Sequence, residues 1–214
     1  MIEFELSPHH AGVTLWGEYD ALRRLHTFIH RVVEESIFIE RKDGFVLALA
    51  YDFRKAYENQ RERTYRSNAE DQKIRIYGVG IVWPMLLVQV GVLRQALAFM
   101  PGNKLDQSLM FELEYVVELA LQKALPTLTH EEIDRMIYGM SGGPYKHLEN
   151  ILDSRCRYFV GLSPEKRLKS LPMLMETFNP MHEYLASAGI DTRPGIIHPD
   201  AFIDSERCWP DFEW

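Results

Sequence analysis

The chain has 214 residues and sets 24 lysines and arginines against 31 aspartates and glutamates, a formal net charge of −7 that disfavours a protein built to neutralise phosphates along duplex nucleic acid. Its 46% hydrophobic and 26% charged residues exclude global disorder and fibrous repeats, and the length is enough to bury a core without staples. Cys156 and Cys208 share no C-x-x-C spacing, so no disulfide framework or zinc pattern arises and both are expected to be reduced.

The N-terminal Met1 to Leu6 has acidic residues where a signal peptide needs basic ones, and the expected location is cytoplasmic. Residues 2–6 and 12–16 alternate apolar and polar side chains around Ser7-Pro8-His9-His10, which predicts a β-hairpin. From Glu18 to Glu35, Leu22, Leu25, Ile29, Val32 and Val33 recur at helical spacing. Ser36 to Glu40 reads as extended, and Phe45 to Arg63 resumes a helical period through Leu49, Phe53, Ala56 and Tyr57. Lys73 to Tyr77 alternates again and suits pairing with the hairpin.

No formal charge falls between Arg75 and Arg94, but Gly78, Gly80, Pro84, Gln89 and Gly91 interrupt the stretch, so a buried core helix from Pro84 to Met100 is expected rather than a membrane span. Asp106 is placed as the cap of a helix over 107–125 whose apolar stripe runs Leu109, Leu113, Val116, Val117, Ala120, Leu121 and Ala124. Thr129 with Glu132 forms a capping box for a helix to Tyr138. Ser141-Gly142-Gly143-Pro144 separates it from a helix over 144–159 and reads as a turn, since a phosphate cradle there lacks the Walker spacing. Ser163-Pro164 opens a further helical region, broken at Pro172 and Pro180 and closed by Gly189.

About 190–214 reads as an irregular tail whose Phe202, Trp209, Phe212 and Trp214 are expected to fold back on the body. The whole predicts one domain over 1–214, mainly α, with a bundle-like helical core and a short N-terminal hairpin or small sheet.

His26, His30 and Glu34 follow one another at i, i+4 and i+8, a spacing that sets three metal ligands along one helix flank. The line drifts from the apolar stripe toward water and lacks the H-E-x-x-H base; solvated histidines are the competing reading. Asp52, Arg54 and Tyr57 crowd one helix with groups able to donate, accept or carry charge, and Arg94 stands in the most apolar helix. If buried, Arg94 needs a carboxylate such as Asp52, Glu114 or Glu118, or a bound anion. These four are the candidate binding surface.

From Arg54 to Arg75 the bases Arg54, Lys55, Arg61, Arg63, Arg66, Lys73 and Arg75 outnumber Glu58, Glu62, Glu70 and Asp71. A single-strand binder using them with Tyr57 and Tyr65 needs a basic groove that the net charge does not suggest.

The segments Leu15-Trp16-Gly17-Glu18-Tyr19-Asp20-Ala21-Leu22, Ile29-His30, Tyr51 to Tyr57 and Trp83 to Gln89 resemble an uncharacterised bacterial family known as a domain of unknown function. The resemblance covers about the first 120 residues and implies a bacterial cytoplasmic protein, with no activity, cofactor or catalytic residue. Acidic charge, helical content, the aromatic-rich tail and the missing catalytic motifs lead to the expectation of a non-enzymatic binding or regulatory protein acting through protein contacts with a partner or as a homodimer, with no membrane and no cofactor. A metal-dependent enzyme with a divalent ion on His26 and His30 is the alternative.

Overall fold

The computed structural model describes residues 1–67, 71–139, 144–190, 195–203 and 209–214. Strand β1 (Glu3–Leu6) and strand β2 (Gly12–Gly17) form the expected hairpin. Its turn is closed by Ser7, whose hydroxyl accepts the Gly12 N–H at 2.9 Å. Strand β3 (Glu62–Ser67) and strand β4 (Lys73–Val82) complete a four-stranded antiparallel sheet in the order β1-β2-β4-β3. Gly12 is required where β2 crosses β4, because a Cβ there would stand 1.9 Å from the Ile81 carbonyl oxygen.

Alternation divides the sheet into two faces. Phe4, Leu6, Val13, Leu15, Val79 and Ile81 share the face turned to the helices, and the last four are buried. On the other face Trp16 lies across Gly78, leaving no room for a Cβ, and Trp214 lies over Gly80.

Eight α-helices surround and fill the core among the described residues. Helix α1 (Tyr19–Glu35) and helix α2 (Phe45–Tyr57) pair closely, and Leu22, Leu25, Ile29, Leu49 and Phe53 of the two are buried. Helix α3 (Trp83–Leu97) begins with Pro84 in its first turn, where a missing N–H leaves no bond unmade, and is buried nearly all round. A helix with no polar stripe belongs at the centre, and α3 packs on α1, α2 and four later helices.

Helix α4 (Lys104–Ala124) and helix α5 (His130–Tyr138) both start on capping boxes. That of α5 is the expected Thr129–Glu132 pair. In α4 the cap is Asn103, not Asp106: the Asn103 side chain accepts the Leu105 and Asp106 N–H groups, while the Asp106 carboxylate accepts the Asn103 N–H at 3.0 Å. The helix thus begins one turn earlier than its apolar stripe suggests.

Helix α6 (Tyr145–Gly161) packs on α3, helix α7 (Pro164–Glu176) follows it, and helix α8 (His182–Ser187) ends before Gly189 at φ +65°. Pro172 lies inside α7 rather than breaking it. The single bond its nitrogen cannot make is outweighed by Leu171, Leu174 and Met175, all buried beside it. The linker 141–143 lies outside the described residues.

A further difference is β3. Helical periodicity carried to Arg63 ends at Tyr57, and 62–67 is a strand whose six residues are exposed on both faces. With nothing to bury, it carries no apolar alternation, and its pairing is set by β4. Ser36 to Glu40 joins no sheet.

The described part of the C-terminal segment docks on the body. Buried Arg167 of α7 donates to the carbonyls of Leu162, Val160, His9 and Glu213 at 2.8–3.1 Å. The His9 N–H reaches the Trp214 main-chain oxygen at 2.9 Å, and the Trp209 indole N–H donates to Asp153 at 2.9 Å. Phe202, in a short 3₁₀ turn over Pro199–Phe202, is buried beneath the Arg155 guanidinium.

Candidate functional site

His26 and His30 stand one turn apart on α1 and meet edge to face at 4.6 Å between ring centres. The α2 helix brings Tyr57 to His26, Oη to Nδ1 at 3.4 Å, and Tyr51 to His30 at 5.8 Å between centroids. Partial burial, then the charges of His30 and Arg54, hold the His26 imidazole below its ordinary range. Exposed Glu34 does not join them, and among the described residues no three His, Cys, Asp or Glu side chains gather as a metal-ligand set. What the pair builds instead is a cluster of interlocking rings between two helices.

The four residues of the expected binding surface separate into two places. Asp52 takes the Arg61 guanidinium at 2.5 Å, Arg54 lies over the Tyr51 ring, and Tyr57 faces His26. Arg94 instead turns to α4. Its Nε donates to Glu114 at 2.6 Å, a second nitrogen reaches the other carboxylate oxygen, and a third bonds Gln107 at 3.0 Å. The buried carboxylate also accepts the Tyr138 hydroxyl at 2.9 Å. Burial and that carboxylate push the Tyr138 phenol above its ordinary range.

The surface outside this ion pair is the least expected part of the molecule. Helix α4 buries Leu109, Leu113, Val117 and Leu121 on one side, yet Phe111 and Tyr115 on the other are 61% and 59% exposed. They stand four residues apart as a ridge on the helix, and the Arg94 guanidinium lies 4.7 Å from the Phe111 ring centre.

Depressions flank the ridge. One of about 880 Å³ runs between α4 and the start of β1, floored by Met1, Ile2, Phe4, Val116 and Leu119. Another of about 600 Å³ lies toward Glu118 and Tyr138, and a third of about 610 Å³ toward Asn103, Lys104 and Gln107. Burial, then the nearby charges of Asp134 and Glu114, raise the Glu118 carboxyl above its ordinary range. Single exposed apolar side chains need no explanation, whereas a contiguous exposed apolar patch is uncommon on a monomer's surface. The signal in the sequence was two aromatics at i and i+4 lying off the apolar stripe of their own helix.

The fold is that of a mainly α-helical α+β protein with a small antiparallel sheet and an exposed apolar ridge on α4. The chain belongs to the family DUF6904, a domain of unknown function, whose model matches residues 2–214 and so runs through the C-terminal half as well as the first 120 residues. No curated protein and no solved structure matches the chain at a significant level. Among the described residues no helix is long and apolar enough to cross a membrane.

Proposed function

We propose that this protein works by binding protein rather than by catalysis, and that the outer face of α4 is its contact surface, taking a second copy of the chain. The observation that carries the reading is the exposed Phe111–Tyr115 ridge with a groove on either side. Helices pack by setting ridges into grooves, and a surface offering both is complementary to itself across a two-fold axis.

Charge favours that occupant over an unrelated one. Lys104, Phe111 and Glu118 recur every seven residues, so they lie along one line of the helix that drifts by only about 20° per step. Phe111 is the midpoint, with opposite charges roughly 10 Å to either side. An axis through Phe111 sets two α4 helices antiparallel and places each Lys104 against the partner's Glu118, twice per interface. The pairing steers register, while the buried rings supply most of the affinity.

A charge exchange tests the arrangement. Lys104→Glu alone and Glu118→Lys alone should each weaken self-association about tenfold, and the double exchange should restore it to within about threefold. Additive losses in the double variant contradict the antiparallel pairing.

A further inference from the structure

We propose that the β3–β4 hairpin is a second binding site, independent of the α4 face, that takes single-stranded nucleic acid on the side carrying Arg63, Tyr65, Lys73 and Arg75. The register separates the hairpin's charges into two sets. Tyr65 pairs with Arg75, Arg63 with Tyr77, and Ser67 with Lys73, and residues opposite each other in an antiparallel ladder share a face. That face runs on into the helix-covered side at Val79 and Ile81, and Tyr77 is already buried there; its open positions carry three cations, the exposed Tyr65 and a serine, and no carboxylate. Glu62 lies on the opposite face with Thr64 and Arg66.

Neighbouring cations differ in how they are partnered. Arg66, on the opposite face, is paired with Glu3, and Arg61, just before the strand, with Asp52. Among the described residues Arg63 bonds a neutral side-chain amide, that of Asn59, at 3.5 Å. Arg75 donates to the Tyr65 hydroxyl at 3.0 Å and lies 5.5 Å from that ring's centre. Among the described residues neither arginine is paired with a carboxylate.

Geometry adds a stacking platform. Tyr65 is 59% exposed, with one side of its ring braced by Arg75. Same-face residues along a strand lie roughly 7 Å apart, so cation, ring and cation follow one another across both strands. Single-strand binders combine these elements, with cations tracking the backbone and an aromatic face accepting any base. The net charge of −7 does not oppose this locally, because charges more than about 8–10 Å away are largely screened at physiological ionic strength.

The test is fluorescence anisotropy of the full chain with a labelled oligo-dT of about 20 nucleotides, with a labelled poly-Glu peptide of similar length as the competing polyanion. Oligo-dT should bind at least tenfold more tightly than poly-Glu. Binding should weaken roughly tenfold between about 50 and 150 mM salt, the slope for three phosphate contacts. Tyr65→Ala should cost about tenfold or more and Tyr65→Phe little, since the ring stacks and the hydroxyl does not. Arg66→Ala, on the other face, should change affinity less than twofold. Equal binding of the two polyanions, indifference to Tyr65→Ala, or no binding of oligo-dT at low salt each overturns the proposal.

Discussion

Arg94 of α3 and Glu114 of α4 meet through two guanidinium nitrogens and both carboxylate oxygens, and Tyr138 of α5 donates to the same carboxylate. One ion pair thus locks the central helix to the helix that carries the contact ridge and to the helix after it. Breaking a fully buried pair by removing one partner costs about 3–5 kcal/mol. Arg94 is about a quarter exposed, which lowers the expected cost of Glu114→Ala to about 2–3 kcal/mol. Thermal melting should show a fall of roughly 5–10 °C, with Glu114→Gln falling less because the amide oxygen still accepts. An unchanged Tm for Glu114→Ala means that the pair adds nothing to the packing of α3 on α4.

His26 should make the protein sensitive to mild acid. Its folded-state imidazole is held below the ordinary histidine value of about 6.5 by burial, His30 and Arg54. Below that value the unfolded chain binds more protons at this residue than the folded one. Stability from this group is therefore complete above about pH 6.5 and is lost as pH falls toward and through the depressed folded-state value. Melting at about pH 7.5 and about pH 5.5 should show a drop for the wild type that is smaller for His26→Gln. A drop of the same size in both places the acid sensitivity elsewhere.

Arg167 should control the C-terminal segment. Its four carbonyl partners come from the β1–β2 turn, the end of α6, the α6–α7 corner and the residue before Trp214. Arg167→Met keeps the apolar stem and removes every donor, at an expected cost of about 2–4 kcal/mol. Hydrogen exchange at residues 209–214 should rise together with the loss in Tm. Truncation after Ile203 should likewise lower Tm without changing the oligomer's subunit count. A fall in subunit count would mean that the segment docks between chains.

Local rules carried the sequence reading a long way, and long-range ones limited it. The Thr129–Glu132 cap, the apolar stretch from Pro84 that became α3, and the first hairpin are written in neighbours a few residues apart. Strand β3 was missed because an exposed edge strand buries no face and so has no period to detect. Arg94 was placed as needing a carboxylate, but which one depended on how α3 and α4 cross. Arg167 gave no signal at all: its partners are backbone carbonyls, two of them 158 and 46 residues away, and carbonyls leave no mark on a sequence. Phe111 and Tyr115 were legible as aromatics off the stripe, yet their meaning required the grooves beside them.

Self-association through the α4 ridge is tested most directly by sedimentation equilibrium of the wild type and of Phe111→Glu over a range of concentrations, with circular dichroism to verify that the variant is folded. The wild type should approach twice the single-chain mass of 25.0 kDa in the micromolar range, and folded Phe111→Glu should stay at the single-chain mass, since it sets two carboxylates against each other at the axis. A wild type that remains at 25.0 kDa up to about 100 μM, or a folded Phe111→Glu that associates as strongly as the wild type, contradicts the proposed dimer.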